Sequence, residues 1–301
     1  MAPPQLLPKQ LSFRFDYGSQ APSGSGPPFA STLVISGLRA SAKIVMPGNG
    51  AFGEAHVRIF GMSLDHMNAL STLGVRVQIV GKNVVTVAAG DATGMTQVFQ
   101  GTVPSAWFEG QSAPNVPFNV LGKAGLIQNL IPVPAASFPQ TVDVAAYLAQ
   151  LAGQMGATFE NHGVTATLSP SYFPGTAWEQ LRRVCEAAYV DFTLDNGVLA
   201  AWPRDSGNRG DTGLTLTPGN GQVGYPEYTA NGIMLRALYN PAIKFGGLVT
   251  VAGSILKQAY AKWQVSSLTH DLSASDPGGP WFTEVQLVEP GTIVGAPGKI
   301  S

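Results

Sequence analysis

A chain of 301 residues is long enough to bury sizeable cores in two or three domains, so it needs no covalent or metal staple to fold. Its single cysteine, Cys185, excludes an internal disulfide framework. Seventeen basic residues against eighteen acidic ones leave a net charge of -1, which removes the electrostatic case for a nucleic-acid or anionic-membrane partner.

Met1 to Gln10 lacks the apolar stretch of a secretory signal, and no later run approaches a membrane span, so a cytoplasm-like compartment is expected. The stretch from Gly18 to Pro28 is rich in Gly, Pro and Ser and reads as an arm or long loop, giving residues 1–30 as an N-terminal arm. From residue 31 to 122 short alternating runs follow: Glu54 to Phe60, Val75 to Val80, Asn83 to Ala88, Met95 to Gln100 and Thr102 to Trp107. Ala55, Val57 and Ile59 share one face, as do Val75, Val77 and Ile79, which is the period of a half-buried strand. Gly81-Lys82-Asn83 and Gly90 to Gly94 supply the turns, and the whole predicts a small antiparallel barrel or sandwich.

The pattern changes over residues 123–210. Val144, Tyr147, Leu148, Leu151 and Met155 fall on one helical face, opened by Thr141 or Asp143 and closed near Gly156. Thr176 and Glu179 form a capping box before Trp178, Leu181, Val184, Cys185 and Ala188, which predicts a second helix. Ala157 to Leu168 reads as extended, Asn161-His162-Gly163 as a turn, and Asn196-Gly197 as the turn of a hairpin within Phe192 to Trp202. This is a small α/β insert. Over residues 211–301 strands return at Leu214 to Leu216, Gly232 to Leu238, Leu248 to Val251, Ala261 to Leu272 and Trp281 to Val288, the last two joined by a reversal from Ser273 to Pro280. The expected fold class is β-dominated α+β, with two barrel-like antiparallel β domains flanking or surrounding the insert, an arrangement that could stem from a remote internal duplication.

The charged fraction is 12%, about half the roughly 25% of an ordinary soluble domain. Interface cores lose charge in this way, so part of the surface is expected to lie under other protein; a Gly- and Ala-rich monomer with a bland surface is the plain alternative. His56, His66, His162 and His270 stand at no metal-ligand spacing, and the chain holds no Walker loop, dinucleotide fingerprint or nucleophile elbow. Glu54, Asp91, Glu160, Glu227 and Glu284 are scattered over strands and loops, where solvation or turn formation explains them better than paired acid/base work. Trp107, Trp178, Trp202, Trp263 and Trp281 are spread over every segment and suit core anchoring. No catalytic, cofactor-binding or metal-binding residue is assigned.

The order of local features resembles a known family. Glu54 to Met62, Asn68-Ala69-Leu70-Ser71, Ala89-Gly90-Asp91 and Val98 to Val103 come first. Asp143-Val144-Ala145, Met155-Gly156, Phe159-Glu160-Asn161 and Gly163-Val164 follow. Tyr239-Asn240-Pro241, Gly246-Gly247, Val249-Thr250-Val251, Trp263-Gln264-Val265, His270-Asp271-Leu272 and Pro277 to Thr283 complete it. Over residues 52–288 this is similar to the baseplate hub proteins of tailed bacteriophages, whose architecture is like the hub part of type VI secretion spikes.

The resemblance implies a homotrimer in which two barrel domains per chain imitate a six-fold ring. Such a ring would join the tail tube, or a distal tail protein, to a central spike protein, and leave a channel for DNA and tape-measure protein. It implies a virion location, assembly in the host cytoplasm, and no enzyme, cofactor or membrane. The candidate interaction residues are Asp276, Pro277, Gly278, Gly279 and Pro280, with the N-terminal arm beside them. A carbohydrate- or receptor-binding β-module of a virion is the alternative, and a hydrolase of cell-wall polymer the third reading.

Overall fold

The computed structural model describes residues 8–16, 32–48, 50–71, 83–130 and 132–291. They divide into two units that are discontinuous in sequence. One gathers the described residues of Met1–Ile44, Glu54–Ala124 and His270–Trp281, the other those of Val45–Gly53, Gly125–Thr269 and Phe282–Ser301. The expected strand Val75–Val80, the turn at Gly81-Lys82 and the Gly18–Pro28 stretch lie outside the described residues.

The first unit is built on strands β1 (Gln10–Asp16), β2 (Thr32–Ser36), β3 (Ala40–Met46), β4 (Glu54–Phe60), β5 (Val84–Asp91), β6 (Gly94–Phe108) and β7 (Pro117–Lys123), hydrogen-bonded in the order β3-β4-β7-β6-β5-β1-β2. Alternation places Leu11, Phe13, Phe15, Val85, Val87, Val57 and Ile59 on a buried face, each worth about 1.5–3 kcal/mol of burial. The β5–β6 hairpin turns at Ala92-Thr93, where Asp91 Oδ1 accepts from the Thr93 amide at 2.7 Å. Helix α1 (Leu64–Leu70) is capped by Ser63, whose hydroxyl accepts from the His66 amide.

Three expectations need correction. Residues 10–16, placed in the arm by the sequence, form β1, because Leu11, Phe13 and Phe15 find a buried face through in-register pairing with β2 and β5. Met95–Gln100 and Thr102–Trp107 are one strand and not two. Gly101 does not break it; a Cβ there would stand 2.7 Å from the Lys123 carbonyl carbon, so glycine admits a close approach to β7, and the irregularities fall on either side of it, at Val98 against β5 and between Thr102 and Ser105 against β7. Barrel closure is not observed: among the described residues the strand path ends on β2 in this unit and on the Gln222–Thr229 strand in the other.

The second unit contains an α/β module. It comprises α2 (Leu126–Leu130), β8 (Ala136–Phe138), β9 (Val142–Asp143), α3 (Val144–Gln154), β10 (Thr158–Asn161), β11 (Thr167–Leu168), β12 (Ser171–Phe173), α4 (Ala177–Ala187), β13 (Val190–Asp195) and β14 (Val198–Pro203). Asp143 is the N-cap of α3, accepting from the Ala145 amide at 2.8 Å, and Gly156 ends the helix at φ 70°. Thr176 and Glu179 complete the capping box of α4 from both sides. Thr176→Ala is expected to cost about 1 kcal/mol in urea denaturation, with no change in the denaturant slope. Asn196 (φ 54°) and Gly197 (φ 78°) make the two-residue turn joining β13 to β14, and Asn161 makes an Asx-type turn with Val164 at 2.7 Å.

The apolar faces of α3 and α4 meet in one cluster with Leu148, Leu151, Leu181 and Leu199 fully buried. Phe52 packs on Trp178 at 4.7 Å, and Trp178 meets Phe192 edge-on at 5.6 Å. Cys185 sits in this cluster, where burial pushes its thiol far above the ordinary range, so it behaves as a small hydrophobe.

The rest of the second unit is β-structure: β15 (Asp211–Leu216), β16 (Gln222–Thr229), β17 (Gly232–Leu238), β18 (Leu248–Val251) and the parts of β19 (Ala261–Ala274) and β20 (Trp281–Val288) at residues 261–269 and 282–288, residues 270–274 and 281 counting with the first unit. β16 pairs with β17 and β17 with β20, all antiparallel, while β18 joins β19 to a parallel β15. Trp202 and Trp263 are buried here, as expected of core anchors. Trp107 of β6 is not; it is 47% exposed, because it falls opposite Asn119 on the uncovered face of its sheet.

Candidate functional site

The five residues singled out from sequence, Asp276 to Pro280, form the tip of the reversal between β19 and β20. Ser275 (φ 56°) and Gly278 (φ 76°) turn the chain, and the tip closes through the Gly279 amide to Asp276 O at 3.0 Å and the Ser273 amide to Pro280 O at 2.8 Å. Ser273 Oγ donates to Asp276 Oδ2 at 3.3 Å, so the one carboxylate of the tip is tied to its own hairpin. A Cβ on Gly279 would stand 2.7 Å from the Ser273 side chain, which holds the turn to glycine there. Ser275 to Gly278 are exposed and Gly279 and Pro280 half-buried. Two prolines and internal hydrogen bonds make this a stiff projection with little entropy left to lose on contact.

Several carboxylates elsewhere are held in ion pairs and turns. Glu54 meets Lys123 at 2.7 Å, which holds its carboxyl below the usual range, with burial opposing. Asp91 is lowered by hydrogen bonds from Thr93. Glu160 lies 3.5 Å from His162 and 3.9 Å from Arg209, whose guanidinium bonds Asp195 at 2.9 Å. Asp211 is lowered by its bond to Lys262, 2.6 Å away. Asp191 alone is raised, by burial, and Arg204 Nε holds it at 2.7 Å. A glycosidase pair needs one carboxyl raised and free to donate beside another that stays ionised; Asp191 is bound to a guanidinium instead. Among the described residues no group of three His, Cys, Asp or Glu side chains converges as metal ligands, and no helix is long and apolar enough to cross a membrane.

One surface was missed by sequence reasoning. On β16, β17 and β20 the core face carries Ile233, Leu235, Ala237, Val285 and Leu287, all buried. The register sets Val223 and Glu227, then Met234, Arg236 and Leu238, then Phe282, Glu284 and Gln286 in adjacent rows of the opposite face, and Tyr225 lies in the register slip between Val223 and Glu227. Tyr225 is 60% exposed, Leu238 53% and Met234 43%. Arg236 bonds Glu284 through Nε at 2.9 Å and again through its terminal nitrogen, and its guanidinium lies 5.2 Å from the Phe282 ring centre. The signal was present: Met234 and Leu238 alternate with Ile233, Leu235 and Ala237, so the strand is apolar on both sides.

The described residues thus combine a turn-rich β scaffold, a stiff hairpin and an exposed apolar sheet face. The fold is similar to that of the prophage MuSo2 43 kDa tail protein from Shewanella oneidensis, with a TM-score of 0.61 and 11% identity over 94% of this chain and 99% of that one. It is similar also to the tail protein from Neisseria meningitidis MC58 (TM-score 0.58, 11% identity, 94% and 98% covered). The E. coli c3393 protein, a component of the type VI secretion system, aligns with a TM-score of 0.52 and 10% identity over 84% and 73%. At such identities the likeness establishes a shared fold. No curated protein matches the chain in sequence.

The particular family is fixed by a separate match. The family described as Baseplate hub gp41 covers residues 21–284, and the chain belongs to that family. The resemblance read from residues 52–288 is borne out, and the chain is a structural protein of a phage tail.

Proposed function

We propose that the chain is a baseplate hub subunit that associates with copies of itself, as a homotrimer in which two tube-like β domains per chain imitate six-fold symmetry. The ring joins the tail tube, or a distal tail protein, to the central spike protein. Its channel passes DNA and tape-measure protein without binding them, consistent with a net charge of -1. The chain is not an enzyme, takes no cofactor, and resides in the tail baseplate of the virion after assembly in the host cytoplasm. In this reading the Asp276–Pro280 hairpin is a contact point with a neighbouring tail protein.

The observation that carries the reading is the family match over residues 21–284. The sparse charge supports it, because weakly ionic surface is cheap to desolvate at about 25 cal/mol per Å² of apolar area gained, against the cost of association. Sedimentation equilibrium of the purified chain tests it. The expected mass is three times the 31.4 kDa of one chain, and a strict monomer at every concentration overturns the ring.

A further inference from the structure

We infer that the outer face of β16, β17 and β20 is the surface on which a neighbouring copy of this chain docks. This rests on the hub reading and adds to it the surface that makes the contact. The face is a three-stranded sheet surface that carries exposed apolar side chains among the described residues, with Tyr225, Met234 and Leu238 exposed and Phe282 half-buried. Large aromatic and aliphatic side chains around one desolvatable charge pair are the composition of an interface centre.

Charge selects the occupant. Arg236 and Glu284 neutralise each other across adjacent strands, and Glu227 is the one further charged residue in the three rows. A polyanion such as nucleic acid or an acidic lipid surface would find no cation left to bind, and a strongly basic partner would find one carboxylate. The matching partner is nearly neutral and sparing of charge, and a chain with net charge -1 and 12% charged residues is such a partner.

Geometry selects the mode. β16 ends the strand path, but its register slips between Val223 and Glu227, where Gly224, Tyr225 and Pro226 lie opposite Leu235. A bulge with a proline is how proteins block strand addition at a sheet edge. Contact is therefore made through the flat of the sheet, with Tyr225, exposed within the bulge, as the anchor. In a closed ring the contact is heterologous, so each interface uses this face once and one substitution removes it from every interface.

The test is sedimentation of the full-length chain carrying Tyr225→Arg or Leu238→Arg, with Tyr172→Arg, an exposed tyrosine on β12, as control. Thermal melts establish that each variant is folded, and Met234→Glu replaces either one that is not. Association weakened about a hundredfold or more in the face variants, with the control like the wild type, is the expected result. A wild type that associates and folded face variants that associate equally well overturn this assignment while leaving the hub reading in place. A wild type that stays monomeric overturns both.

Discussion

Gly246→Ala is expected to destabilise the protein by roughly 3 kcal/mol, a large part of the total for an ordinary domain. Gly246 has φ 78°, and a Cβ there would stand 2.4 Å from both Cζ2 and Cη2 of Trp202, which is fully buried. The backbone cannot retreat. Its amide donates to Val265 O at 2.9 Å, and its carbonyl accepts from the Arg209 amide at 2.8 Å and from Gln264 Nε2 at 3.3 Å. Two costs add: alanine in the left-handed region, at about 1 kcal/mol, and overpacking of the indole, at about 1–3 kcal/mol. Gly213→Ala separates them, because its φ is 65° but nothing lies within 4 Å of the added carbon. It should lose only the backbone part. Urea denaturation measures both, and combining Gly246→Ala with Trp202→Leu should cost less than the two single losses added together. A Gly246→Ala variant as stable as Gly213→Ala would contradict the packing described around Trp202.

A second large effect is expected on acidification. His270 is buried on β19, and burial lowers its pKa from 6.5 to about 4. Between those values the unfolded chain takes up a proton that the folded chain refuses. Stability is therefore fully present above pH 6.5 and falls as the pH drops toward 4, by about 3 kcal/mol over the window. The lowered carboxyls of Glu54, Asp91 and Asp211 act in the same direction but further down, as each is protonated below its ordinary range. Urea midpoints taken from pH 7 to pH 5 should thus decline before the bulk of the carboxylates titrate. In His270→Gln the decline over this interval should vanish, whatever the variant's stability at pH 7. An equal slope in variant and wild type would show that His270 is not the group responsible.

The parts of the fold legible in the sequence are those with local causes. The capping box at Thr176 and Glu179, the α3 stripe from Val144 to Met155 and the Asn196-Gly197 hairpin each need only a few consecutive residues, and each stands where the sequence puts it. Gly232–Leu238, Leu248–Val251 and Trp281–Val288 were legible to the residue for the same reason. β16 was not, because Gly224 and Pro226 read as strand breakers and only pairing with β17 absorbs them as a bulge. β1 was hidden by the Gly- and Pro-rich stretch that follows it, although Leu11, Phe13 and Phe15 alternate.

The candidate surfaces divide along the same line. A rigid reversal at Pro277-Gly278-Gly279 follows from turn chemistry. The outer face of β16, β17 and β20 gathers residues as far apart as Val223 and Glu284, and only the sheet register brings them into neighbouring rows. Barrel closure was overcalled because alternating strands with tight turns are common to open sheets and closed ones. What distinguishes the two is whether the edge strands pair, which the alternation of a single strand does not encode.

The central claim is that the chain works as a self-associated ring at the junction of tail tube and spike. Electron cryo-microscopy of purified tails measures this directly, through the number of copies of the chain and their distance from the tail axis. Three copies surrounding an open axial channel, each in contact with the next, is the result expected. A single copy, or copies attached only to the outside of the tail with another protein forming the junction, would contradict it.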